Sequence, residues 1–207
     1  MVSLSDLEAS AGFYGKLPAR GDFVRAGLPR DFVEPWDAWW QRMLAGSREV
    51  VGEGWAAAWL QAPIWRFALP PGMCGSGAVL GLWLPSVDRV GRFFPLTLAA
   101  VAPHPWPALA RAGGGFLSQA EAVGLEAVQE DLAPESLGQR VAAAVFADAA
   151  AQAAPSGIVD ELAAFWWTEG SPLVGTHSFA SQSLPGAAVF VEMIAGPPGG
   201  KGEFVSE

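Results

Sequence analysis

Two short stretches carry the charged residues with the best spacing for chemistry. "GKLPARGDFVR" holds Lys16, Arg20, Asp22 and Arg25, and "PSVDRVGRFFPL" holds Asp88, Arg89 and Arg92 within five positions. A carboxylate among guanidinium groups can do acid–base work, grip a partner, or hold a turn together as an internal ion pair. Asp88 has a good structural account. An Asp at a turn accepts hydrogen bonds from the backbone N–H groups one or two residues on, and Gly91 supplies the unusual dihedral. Arg92 can then pair with Asp88 or with Asp22. Arg89 and Lys16 carry either reading.

Other reactive groups lead nowhere. His104 and His177 are the only histidines, far apart and without ligand-spaced Cys or His, so neither a metal nor any other cofactor is expected. Neither a G-x-S-x-G elbow nor a phosphate-binding P-loop is present. "CGSGAVLG" precedes a strand, whereas a phosphate loop should follow a strand and open a helix, so it reads as a flexible surface loop. Cys74 beside it has no His placed by sequence to activate it. No catalytic residue is assigned.

Composition narrows the classes further. The chain has 207 residues, 51% of them hydrophobic, which is enough to bury a sizeable core. The net charge is −9 and uneven: residues 1–111 hold ten Lys and Arg against nine acids, and residues 112–207 hold two against twelve. A basic stripe for nucleic acid is therefore missing. No apolar run reaches the roughly eighteen residues of a membrane span. The first ten residues carry two acids and no Lys or Arg, unlike a secretory leader. With one Cys, these features predict a soluble, cytoplasmic protein. Ten Trp against one Tyr is unusual, and core packing is the simplest use for most of them.

The elements that must position the two charged stretches follow from pattern. Residues 12–18 read as a strand and loop, and 19–30 as a loop. Asp31 reads as a helix N-cap with Glu34 completing a capping box, and Pro35 falls in the first turn. Trp36, Trp39, Trp40, Met43 and Leu44 then form one helical face, for the core or for a partner helix. A second helix is predicted over 51–61, with Trp55, Ala58 and Trp59 on one side. Residues 64–70, 78–85 and 92–102 read as strands, with Pro95 hinting at an edge or bulge. Residues 103–115 make a Pro- and Gly-rich crossing. Helices with acidic outer faces follow over 116–132 and 134–153. Residues 163–170 read as a strand, with Leu173 to Phe179 as its partner. Residues 185–196 make a helix with Ala187, Phe190, Val191 and Ile194 on one side, stopped by Gly196. The predicted fold class is α/β: one layered sandwich over residues 1–196, its mostly antiparallel central sheet covered by helices, and a disordered tail over 197–207.

Taken together, "GFYGKLPARGDFVRAGLPRDFVEPWDAWWQ", "APIWRFALPPGMCG" and "LPSVDRVGRFFPLTLAA" resemble the TagF family, also called ImpM, accessory proteins of bacterial type VI secretion. "FWWTEGS" and "LPGAAVFVEMI" match its C-terminal pattern more loosely. The resemblance implies an α/β sandwich and a non-enzymatic, post-translational repressor of secretion assembly. Its implied partner is an Fha-type scaffold, a forkhead-associated-domain protein, which it binds or sequesters. Some relatives carry a fused PppA-like phosphatase domain, for which this sequence has neither the length nor the multiple Asp.

These readings combine into one expectation. The two charged loops meet at a corner of the sheet. Gly15, Pro18, Asp22, Asp88, Gly91 and Arg92 fix that corner, while Arg89, Lys16 and Phe23 face outward and, with Arg20, form the partner-binding set. The competing expectations are a small-ligand or enzyme pocket around Asp22, Asp88, Arg89 and Arg92, and a structural subunit of the secretion apparatus. The chain is expected as a monomer or homodimer.

Overall fold

Seven strands pair into one sheet, and every pairing is antiparallel. The computed structural model describes residues 9–103, 109, 113–144 and 162–197. In chain order the strands are β1 (Ser10–Gly15), β2 (Val24–Ala26), β3 (Trp65–Leu69), β4 (Ala78–Leu84), β5 (Leu96–Ala102), β6 (Ala164–Thr168) and β7 (His177–Ser181). Across the sheet they run β2-β1-β5-β4-β3-β6-β7. The helices are α1 (Arg30–Val51), α2 (Trp55–Leu60), α3 (Gly114–Gln129), α4 (Pro134–Ala142) and α5 (Ala187–Ala195), with a 3-10 turn at Gly52–Gly54 between the first two. This is a single α/β domain with helices on both faces of the sheet.

The two faces are chemically unlike. On β3, Trp65, Phe67 and Leu69 point to one side, and Arg66 and Ala68 to the other. The first side is aromatic. Eight of the nine described Trp lie there, packed between the sheet and α1, α2 and α5. The second side is built from Ala, Leu and Phe under α3 and α4. Because both faces are covered, β3, β4 and β5 are buried along their whole length and read as continuous apolar runs.

The Trp face of α1 is core, as its spacing requires, and its docking partner is α5 of the same chain. Trp39 Nε1 donates to the Pro185 carbonyl at 2.8 Å, and Trp40 meets Phe190 edge-on at 5.4 Å. Other indoles also staple separate segments: Trp36 to Thr97 at 3.0 Å and Trp65 to the Met193 carbonyl at 2.9 Å. Tryptophan suits this layer because it fills volume and carries a polar handle for an acceptor, although the Nε1 groups of Trp40 and Trp83 have no hydrogen-bond partner among the described residues.

Several local expectations are corrected. Residues 19–30 are not all loop, since β2 pairs with β1 as the edge of the sheet. Pro29, not Asp31, precedes the first helical residue, and Asp31 instead accepts the Ser76 backbone N–H and hydroxyl at 3.0 and 2.7 Å. Glu34 pairs with Arg30 rather than closing a capping box. Pro35 lies past the first turn, so it does remove a helical hydrogen bond. Of 51–61, Val51 ends α1, residues 52–54 are a 3-10 turn, and only 55–60 form a second α-helix. Pro95 stands just before β5, a central strand, not within an edge strand. The strand after the acidic helices pairs with His177–Ser181 rather than Leu173 to Phe179. The buried face of α5 is Val189, Phe190, Glu192, Met193 and Ile194, because the helix sits in a covered layer rather than at the surface. Glu121 of α3 is not on an outer face: it pairs with Arg66, which is buried on the sheet. Most of 103–115, the second half of 134–153, and 198–207 lie outside the described residues.

Trp40 has no exposed surface and touches Trp59, Trp83 and Phe190. Replacing it with Ala should cost about 3–5 kcal/mol, because the surrounding rings cannot collapse into the space. Urea denaturation of W40A against the parent protein checks this through the shift in midpoint.

Candidate functional site: the cationic corner

The two charged loops do meet, at the end of the sheet where β1 runs out beside β5. Gly15 ends β1 at φ 151°, and a Cβ there would overlap the Pro95 carbonyl oxygen. The chain can therefore pass tightly beneath the second loop. Lys16 N–H then donates to that carbonyl at 3.3 Å, and the Lys16 carbonyl accepts the Ser86 hydroxyl at 2.8 Å. Pro18 presets the next turn, closed by Arg20 N–H to the Leu17 carbonyl at 3.0 Å.

The second loop is a miniature hairpin. Val87 bridges to Phe93, Gly91 N–H closes the turn on the Asp88 carbonyl at 2.9 Å, and Asp88 N–H reaches the Arg92 carbonyl at 3.0 Å. Gly91 takes φ 85°, the left-handed position that such a bulged turn requires. Asp88 holds it from inside. One carboxylate oxygen accepts Val90 N–H at 3.0 Å and Arg92 N–H at 2.8 Å, and the other accepts Arg92 Nε at 2.6 Å and Lys16 Nζ at 2.7 Å. Burial acts to raise the Asp88 carboxyl, but the bond from Lys16, then those from Arg92 and Val90, outweigh it and hold the group well below the usual carboxylate range. Arg92 pairs with Asp88 and donates to the Gly21 carbonyl; it does not use Asp22, which is exposed.

Lys16 corrects the expected outward set. It is 5% exposed, because its ammonium is the buried partner of Asp88. What covers it is Phe23, whose ring centroid lies 5.0 Å from Nζ. Phe23 stacks on Tyr14 at 5.5 Å and meets Phe94 edge-on at 4.8 Å, yet keeps 47% of its surface exposed. Tyr14 donates to Asp37 at 2.6 Å, and burial, followed by that bond, pushes its phenol well above its ordinary value. Arg89 is exposed, anchored by its backbone N–H on the Arg20 carbonyl at 3.0 Å. Its guanidinium makes no hydrogen bond or ion pair among the described residues. Arg20 is tethered to Asp131, between α3 and α4, at 3.3 Å. Sequence reasoning missed three supports. Ser86 and Phe94 brace the hairpin, and Trp59 Nε1 fixes the Ser86 carbonyl at 3.0 Å. The only sign of them in sequence is their position beside the charged stretch.

Elsewhere, Cys74 is buried, and burial followed by the Asp31 charge pushes its thiol up to about 12, which leaves it un-ionised at neutral pH. Among the described residues no group of three His, Cys, Asp or Glu could hold a metal, and no helix is long and apolar enough to cross a membrane. An open depression of about 520 Å³ lies between α1 and residues 182–186 and includes none of Asp22, Asp88, Arg89 or Arg92.

D88A leaves the buried Lys16 ammonium uncompensated and should cost about 3–5 kcal/mol, whereas K16A should cost less, because Arg92 still pairs with Asp88. The depressed carboxyl also sets a pH dependence. Its stabilisation is complete above the unfolded value of about 3.9 and is lost as pH falls below that towards the folded value. Denaturant titrations from neutral to acid pH should show a stability loss below about pH 4 that is reduced in D88N. An identical acid limb in both proteins would contradict the role given to Asp88.

Comparison with known proteins places this corner in a wider set. Residues 12–144 match the model of the TagF N-terminal domain, described as type VI secretion system-associated. The crystal structure of PA0076 from Pseudomonas aeruginosa PAO1 superposes with a TM-score of 0.78 at 34% identity, covering 96% of this chain and 98% of that one. No curated protein matches the sequence significantly. Both charged loops fall within the matched span, so the chain belongs to the TagF family of type VI secretion system-associated proteins.

Proposed function

We propose that this chain is a non-enzymatic repressor of type VI secretion assembly that acts after translation, on the cytoplasmic side, by binding or sequestering an Fha-type scaffold protein through the cationic corner. Membership of the family supports the link to secretion. One observation carries the choice of surface. Phe23 and Arg89 stand exposed, and Arg20 half-exposed, on loops whose backbones are tied together by the Lys16–Asp88–Arg92 network. Arg and aromatic side chains held in place before contact are the usual energetic centres of interfaces, since little entropy is lost when they bind.

A small-ligand reading of the same residues is less well supported. The Asp88 oxygens already accept four hydrogen bonds at 2.6 to 3.0 Å, so the carboxylate is occupied with holding the turn.

Mixing the protein with the scaffold from the same source and measuring mass by light scattering after size exclusion tests the proposal. A co-eluting complex is expected, and the same run reads whether the free protein is a monomer or homodimer. The variant R20A/F23A/R89A should remain folded, with an unfolding midpoint lowered by loss of the Phe23 cover over Lys16 and of the Arg20–Asp131 pair, while losing at least about tenfold in affinity, or ~1.4 kcal/mol. Parent-like affinity in that folded variant would remove the corner from the interface.

A further inference from the structure

The corner is opposite in sign to the molecule that carries it. Its exposed charges are Arg25, Arg89 and Arg92, with Arg20 half-exposed, against Asp22 and Asp131, in a chain of net charge −9. The corner's buried carboxylate, Asp88, is matched by Lys16 and Arg92. Arg92 already has two acceptors, Asp88 and the Gly21 carbonyl. The Arg89 guanidinium has none among the described residues and lies beside Gly21, about where Arg92 also reaches: its Nη2 is 3.7 Å from the position a Gly21 Cβ would take. Two apolar groups flank these cations, Val90 at the turn tip, 64% exposed, and the half-exposed Phe23 ring.

From this arrangement we infer that the corner recognises a carboxylate-rich segment of its protein partner, with Arg89 taking an Asp or Glu side chain and Phe23 and Val90 covering an apolar residue next to it. The inference rests on the corner being the partner surface and adds the chemistry of what it grips. A planar guanidinium matches a carboxylate in two-point geometry, and the turn fixes the Arg89 backbone before contact. A local cluster of Arg also guides approach, because its field attracts carboxylates before contact.

The test is fluorescence anisotropy with two probes, a labelled oligoglutamate and the purified scaffold, against the full chain and its R89E variant. Arg89 makes no side-chain hydrogen bond or ion pair among the described residues, so R89E should unfold at the parent midpoint. The parent protein is expected to bind oligoglutamate at low ionic strength and to ignore oligolysine. R89E should lose at least about tenfold for both oligoglutamate and scaffold, and added salt should weaken both. Scaffold binding equal in the parent and R89E overturns the inference while leaving the scaffold as partner. Oligoglutamate binding that depends on Arg89, with no scaffold binding at all, keeps the inference and overturns the choice of partner. Failure of the parent protein to bind oligoglutamate at low salt overturns the inference outright.

Discussion

The Lys16–Asp88 ion pair is the constraint around which this end of the molecule is arranged. Two opposite charges 2.7 Å apart, both shielded from water, must be satisfied on every remaining lone pair and N–H, or their desolvation is not offset. Asp88 meets that demand with two backbone amides and Arg92, which fixes the turn at Gly91. Lys16 meets it by lying under the Phe23 ring, which fixes the path of the first loop. The pair spans 72 positions of sequence, so it joins the exit of β1 to the connection between β4 and β5. Its energetic value and its geometric value are the same fact: neither loop can move without exposing a charge.

The rest of the fold supplies a base for that corner. The aromatic layer under α1, α2 and α5 reaches it through Trp59, which holds the Ser86 carbonyl, and through Phe94, which touches Trp40, Tyr14 and Phe23. Phe93 turns to the other side, against Trp55, where Arg48 lies over the Trp55 ring at 4.4 Å. The consecutive phenylalanines of "GRFFP" thus clamp the hairpin to two separate parts of one aromatic core. The opposite face contributes less directly, through Asp131, which reaches Arg20 from the far side of the sheet.

How much of this was legible in the sequence depends on the range of the forces involved. The α1 face, the alternation along β3 and the Asp88–Gly91 turn were readable, because each is a short-range pattern with a stereochemical cause. The burial of Lys16 was not. A lone Lys beside exposed-looking loop residues reads as solvated until its partner 72 positions away is known. For the same reason Asp31 was misread: a Ser76 hydroxyl from a distant loop, rather than its own helix, claims its carboxylate. Strand β2 was missed because three residues of "VRA" carry no periodicity, and only the waiting edge of β1 makes them a strand. The family could be recognised from its motifs, two of which contain the residues that build the corner.

The account stands or falls on whether this locked corner is where the partner sits. Hydrogen exchange on the full chain, free and mixed with the Fha-type scaffold, measures that directly. The predicted result is slowed exchange confined to the backbone around residues 19–25 and 88–93, with every strand of the sheet other than β2 unchanged. Protection elsewhere, for instance around β7, with these two loops exchanging as in the free protein, would contradict it.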